Sequence, residues 1–270
     1  MSRKKPELTI SEFTFAYNFL HEQHLLFQND LIGVPILPSL LDETDVGFDA
    51  CLPTRAAIFF YQFKRSHNII RVHPRRLTRD PPPYPAPFYR IYLHRKNNYA
   101  QHFQLQYWAN LYPCTYYVAP ETTDNTTYFD AAIRGETWKC SRCIPLISCP
   151  VGFDVTEPKH FIEYKKDVEQ AILCSDHVSI IKNTIFGRDL KRLYLEQKYE
   201  PIDELAMKLS DNTINFIAKY WGKEHTKKLG YVSFSEIPQK QEIVKSLQLS
   251  SSILSSYLGV TPLLFGKRGS

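Results

Sequence analysis

The sequence predicts an α/β fold that ends in a mainly α-helical C-terminal region, and three observations carry that prediction. A helix-patterned segment near the N-terminus leads into two short apolar runs joined by a turn. A second helical pattern is followed by another short buried run. Beyond about residue 160 the texture becomes charged, with helical periodicity. With 270 residues, 43% of them hydrophobic, the chain can bury a sizeable core, which excludes a disordered polypeptide. Eighteen prolines against ten glycines, 23% charged residues and no internal period argue for stiff loops rather than a coiled coil or a repeat array.

The elements follow in order. Between Ile10 and Phe27, the residues Phe13, Ala16, Tyr17 and Leu20 recur at helical spacing, and Ser11 can cap the start, so this helix is expected to pack that face on a sheet. His24 continues the same face. Pro35 and Pro38 mark an extended loop. Val46 to Leu52 and Ala56 to Lys64 then read as two strands around Pro53-Thr54-Arg55, a hairpin. Ser66 to Pro87, with three prolines at 81–83, reads as a long ordered insertion of the kind that carries function. Phe88 to Leu93 reads as a strand, Asn98 to Leu111 as a helix, Thr115 to Ala119 as a buried strand closed by Pro120, and Thr137 to Leu146 as a strand. Ile162 to Ile181, Asp189 to Gln197, Ile202 to Tyr220 and Gln239 to Gly259 read as helices, followed by an apolar tail from Val260 to Phe265. This places a domain boundary near 160, dividing 1–160 from a recognition or assembly region at 161–270.

Charge is unevenly distributed. From Phe63 to Lys96 nine Lys or Arg residues oppose a single acid, Asp80, so that window carries +8 of a net +5 and the remainder is slightly acidic. Arg65, Arg71, Arg75, Arg76 and Arg79 lie in a run with His67, His73 and Tyr84, pairing guanidinium forks for phosphate with rings that can stack on bases. A localised basic patch of this kind suits a polyanionic partner. The first residues, Met-Ser-Arg-Lys-Lys-Pro, do not lead into an apolar run, nothing reaches membrane-spanning length, and six scattered cysteines suit a reducing compartment. The expectation is a cytoplasmic protein with no membrane partner.

Chemistry concentrates around the hairpin. Residues 42–49 read Asp-Glu-Thr-Asp-Val-Gly-Phe-Asp, four acids in eight residues. Asp42 and Asp45 are explained as turn residues, whereas Asp49 sits inside an apolar strand and needs a partner. In the next strand Ile58, Phe60, Gln62 and Lys64 share one face while Phe59, Tyr61 and Phe63 share the other, so this is a central strand covered on both sides. Burying Gln62 and Lys64 calls for a carboxylate nearby. A turn centred between Arg55 and Ala56 puts position 49 opposite position 62, which nominates Asp49, with Glu43 entering from the preceding loop. Carboxylate and amide oxygens can hold Mg²⁺ or Mn²⁺, and a lysine can stabilise negative charge developing on a phosphodiester.

Gly47-Phe48-Asp49, then twelve residues, then Gln62-Phe63-Lys64-Arg65 at the end of an aromatic strand resembles the PD-(D/E)XK nuclease superfamily, in the Mrr-like variant with a Gln-x-Lys motif. The resemblance spans roughly residues 8–155. It implies a restriction-endonuclease-like core of helix, mixed central sheet and helix. It also implies Asp49, Gln62, Lys64 and Glu43 as candidate catalytic residues, with Asp49, Gln62 and Glu43 as metal ligands. Glu12 and Gln101 match positions that often support such a site, and the basic insertion 65–87 would contact DNA. The implied function is Mg²⁺-dependent cleavage of DNA, in restriction or anti-phage defence, with homo-oligomerisation or a partner such as an ATPase, since no Gly-rich phosphate loop is present here. The alternative is an inactive nuclease-fold subunit that binds nucleic acid or assembles with a protein. Cys140, Cys143 and Cys149 lack the second close pair of a zinc site. His67 and His102, near the motif in sequence, read as phosphate contacts or packing residues.

Overall fold

The computed structural model describes residues 10–31, 35–38, 47–71, 84–150, 160–175 and 178–196. Glu43, Arg75, Arg76, Arg79, the helices expected at 202–220 and 239–259 and the apolar tail at 260–265 lie outside the described residues.

Helix α1 (Glu12–Leu26) starts where the sequence places it, with the Ser11 hydroxyl accepting the Thr14 N–H at 3.0 Å. Its buried face is the expected one only in part, at Ala16 and Leu20. Phe15, Ala16, Phe19 and Leu20 go inward, whereas Phe13 is 75% and Tyr17 61% exposed. Phe15 meets Phe63 edge-on and Phe19 meets Tyr61 in the same way, and these four rings fix the helix on the sheet.

Strands β1 (Ala50–Pro53) and β2 (Ile58–Phe63) form the expected hairpin, with Ala50 opposite Tyr61 and Cys51 opposite Phe60. Ile36 adds an antiparallel bridge to Cys51 outside β1. Strand β2 is buried along its whole length. Phe59, Tyr61 and Phe63 join the cluster under α1, and Ile58 and Phe60 join the opposite one. The chain then leaves this sheet for β3 (His67–Ile69) and β4 (Phe88–Tyr92) and returns through α2 (Lys96–Leu111) to β5 (Thr115–Pro120), parallel to β2. Helix α3 (Asn125–Ile133) is capped by Asp124, whose carboxylate accepts the Thr127 N–H at 2.7 Å. Thr137–Cys140 is a 3₁₀ turn, so only the second half of the expected strand at 137–146 is extended, as β6 (Ser141–Pro145).

The region after 160 corrects the sequence reading. Residues 161–181 form not a helix but three strands, β7 (Phe161–Tyr164), β8 (Ala171–Cys174) and β9 (Val178–Ile181). β7 and β9 are rich in β-branched or aromatic side chains, and β8 is apolar throughout. The intervening Lys165-Lys166-Asp167, which mimics the polar face of a helix, is a turn with Asp167 at φ +62°. β10 (Ile185–Phe186) and α4 (Leu190–Glu196) complete the described chain, the latter within the helix expected at 189–197.

The result is a mixed α/β architecture with a mixed sheet in the order β1-β2-β5-β6-β10 and a second sheet in the order β3-β4-β7-β8-β9. Since β7 pairs with β4 and β10 with β6, strands from both sides of residue 160 build each sheet, and 160 is not a boundary. The start of the basic insertion is likewise structural, with β3 paired to β4. One core runs from the α2 side of the first sheet to Ile91, Ile162 and Leu173 of the second. The two sheets are also tied by hydroxyls: Ser66 donates to the Pro120 carbonyl at 2.6 Å and Tyr164 to the same carbonyl at 2.9 Å.

Candidate active site

The hairpin register decides the site. With Ala50 opposite Tyr61, the residue before β1 stands opposite Gln62, and the Asp49 N–H donates to the Tyr61 carbonyl at 2.8 Å. The Gln62 amide Nε2 donates to both Asp49 carboxylate oxygens at 2.6 Å, and the Phe63 backbone N–H donates to Oδ2 at 2.6 Å. The carboxylate is therefore aimed by a strand backbone and a buried amide rather than left to rotate. Gln62 is 2% exposed, and its Oε1 is buried without a hydrogen-bond partner. A buried orphan acceptor is costly and needs an explanation.

Lys64 follows at the end of β2, 3% exposed, its N–H held by the Val118 carbonyl of β5 at 2.9 Å. Its ammonium donates to Gln101 Oε1 on α2 at 3.2 Å and lies 5.9 Å from the centre of the Tyr117 ring. Close approach of α2 depends on Gly47, at φ +81°, where a Cβ would fall 2.6 Å from Gln104 Cβ and 2.9 Å from the Gln101 carbonyl. The glycine of the sequence motif is thus the residue that lets the chain ahead of Asp49 lie against the helix carrying Gln101. From the other side, Glu12 of α1 accepts the Arg65 N–H at 2.8 Å. Glu12 and Gln101, named from sequence as supports, are brought to the same hairpin end as Asp49, Gln62 and Lys64. Arg65 and Arg71 are exposed.

Sequence reasoning did not anticipate that the Lys64 charge acts on two histidines. His102, one residue past Gln101, is buried with Nδ1 at 2.8 Å from the Tyr117 hydroxyl. Burial first, then His160 and Lys64, push its pKa down to about 3. The Lys64 charge, followed by burial, also lowers His94. His102 therefore belongs to the packed support of the site and stays neutral at physiological pH. The only sequence signal was its adjacency to Gln101.

This sets a pH dependence. An unfolded histidine takes a proton near pH 6.5 that the folded His102 refuses until about pH 3. The unfolded state binds more protons across that window, so stability falls as pH drops below 6.5, by up to about 1.4 kcal/mol per pH unit from this group. Urea unfolding between pH 7 and 5 should show that slope, and His102→Gln should flatten it. An unchanged slope in the variant would mean that another group is responsible.

Among the described residues no group of three or more His, Cys, Asp or Glu side chains is gathered as a metal cluster. Cys143 and Cys149 are buried core thiols, the latter pushed up to about 12 by burial. Among the described residues no helix is long and apolar enough to cross a membrane. No protein-family model, curated protein or solved structure matches the chain.

Proposed function

We propose that this chain is a metal-dependent nuclease that hydrolyses DNA phosphodiester bonds, with Asp49, Gln62 and Lys64 as its catalytic group. One observation carries the reading: a half-buried carboxylate, a buried amide with an orphan oxygen, and a buried ammonium converge at one hairpin end, supported from α1 by Glu12 and from α2 by Gln101. The order helix, antiparallel hairpin, helix and parallel strand that positions them agrees with the core implied by the resemblance.

Oxygen donors of this kind fit a hard divalent cation such as Mg²⁺ or Mn²⁺: the Asp49 carboxylate would hold it through a lone pair that Gln62 Nε2 and the Phe63 N–H leave open, with the unpartnered Gln62 Oε1 and Glu43 as further candidates. When bound, such an ion neutralises charge on the scissile phosphate and makes water a better nucleophile at neutral pH. The protein's own residues do the rest. Gln62 and the Phe63 N–H fix the Asp49 carboxylate, and Lys64, held by Gln101, places a positive charge where an oxyanion develops. Arg65 and Arg71, with Arg75, Arg76 and Arg79 of the same run, supply phosphate contacts. A role in restriction or anti-phage defence is the setting we assign to it.

The test is direct. The full chain incubated with plasmid, linear duplex and single-stranded DNA should cut with Mg²⁺ or Mn²⁺ and stop with EDTA. Salt-sensitive binding without cleavage in any metal would favour the other reading, an inactive nuclease-fold subunit. That reading draws on the uncharged Gln62 standing where most relatives carry an acid.

A further inference from the structure

The misplaced face of α1 has a functional reading. Phe13 and Tyr17, which helical periodicity assigns to the core, are instead the most exposed aromatic rings of the helix. With His21 they form an i, i+4, i+8 ladder, and the Tyr17 and His21 rings lie nearly parallel, 3° apart in plane with centroids 6.0 Å apart. The ladder borders an open groove of about 750 Å³ between α1 and the segment at 35–38, whose lining is mostly apolar and includes the exposed Leu37. A concave groove lined mostly by hydrophobic and aromatic side chains is the kind of surface that takes a ligand. The same groove is lined by Asp49 and Glu12, so it runs directly into the proposed chemistry.

We infer that this groove is a stacking channel for an unpaired strand, and hence that the substrate of the site is single-stranded DNA. The inference rests on the nuclease reading above and narrows its substrate. A duplex turns its phosphates outward and hides its bases, so it offers exposed aromatic rings nothing to stack on. A single strand presents flat apolar bases, which exposed aromatic rings can stack, and its backbone can then pass Asp49 toward Arg65, which lines a small separate pocket that shares Ser11 and Glu12 with the groove. A protein segment filling the groove would cover Asp49, whereas a strand passing through it is delivered to Asp49.

Fluorescence anisotropy in EDTA, where nothing is cut, tests this with the full chain, a short labelled single strand and the duplex of the same sequence. The single strand should bind at least about tenfold more tightly. Phe13→Ala with Tyr17→Ala should weaken single-strand binding by about tenfold or more while leaving duplex binding and the thermal midpoint unchanged, and Tyr17→Trp should retain binding. Equal affinity for both forms, or an unaltered double variant, would overturn the inference. So would a double variant that changes mass in light scattering without DNA, because the face would then be a contact between copies of this chain. The two readings fail separately. Strand-selective binding without metal-dependent cleavage counts only against the nuclease, and cleavage that favours duplex counts only against the channel.

Discussion

Lys64→Met is expected to lower metal-dependent cleavage by about 10²–10³-fold while leaving the protein as stable as before, or more so. The size follows from removing a single preorganised charge from a dry site where negative charge develops. The stability result follows from burial. A 3% exposed ammonium has given up most of its hydration, and a methionine of similar length fills the same space without that cost. Asp49→Asn should abolish cleavage as well, since it keeps the size of the side chain but removes the charge that a divalent ion needs. The pair of measurements distinguishes chemistry from architecture. If Lys64 and Asp49 were a structural ion pair in an inactive fold, breaking it would cost about 3–5 kcal/mol, and Lys64→Met would show up in urea denaturation instead of in the cleavage rate. A Lys64→Met protein that retains full activity would remove lysine from the mechanism.

The parts of this site that were legible in the sequence are those fixed by short-range geometry. A strand repeats every two residues and a hairpin has one register per turn, so the turn at Arg55 and Ala56 sufficed to pair position 49 with position 62. Gly47 stood in the motif, but its reason, the backbone of α2 packed against it, is a long-range contact no local pattern carries. The buried face of α1 was ambiguous for a different reason. Phe13, Phe15, Ala16, Tyr17, Phe19 and Leu20 spread aromatic or aliphatic groups over more than half of the helix circumference, and periodicity cannot choose between the 13/17 edge and the 15/19 edge. The choice is made by Tyr61 and Phe63 across the interface. In 161–181 the charged turn between two four-residue strands has the spacing of a polar helix face, and only the pairing of β7 with β4 resolves it.

The contact that joins the two sheets shows the largest stability effect to be expected, and nothing in the sequence announced it beyond a charged residue in the apolar run Ser141-Arg142-Cys143-Ile144. Arg142 on β6 is fully buried, and all five of its N–H donors are used. Nε and Nη2 both donate to Glu121 Oε1, the former at 2.7 Å. Nη1 donates to the Val168 carbonyl and to Thr184 Oγ1 at 2.9 Å, and Nη2 to the Lys165 carbonyl at 3.0 Å. The guanidinium also stacks 4.0 Å above the Phe186 ring. One side chain of the first sheet therefore holds the turn between β7 and β8 of the second, and with it Glu121, next to the end of the β5 strand that bonds the Lys64 backbone. Arg142→Met should cost about 3–5 kcal/mol in urea unfolding, because it strands a buried carboxylate and two carbonyls at once. Adding Glu121→Gln should recover a large part, since the second change removes the orphan charge. The pH dependence has a definite sign. Burial outweighs Arg142 and already raises the Glu121 pKa, so the folded state favours the protonated acid and stability from this group is lost as pH rises. Without Arg142 the shift grows, and the variant's defect should be smaller at pH 5 than at pH 7.5. A variant within about 0.5 kcal/mol of the parent at both values would mean that Arg142 does not hold the sheets together and that their shared apolar core and the hydroxyl bonds to Pro120 suffice.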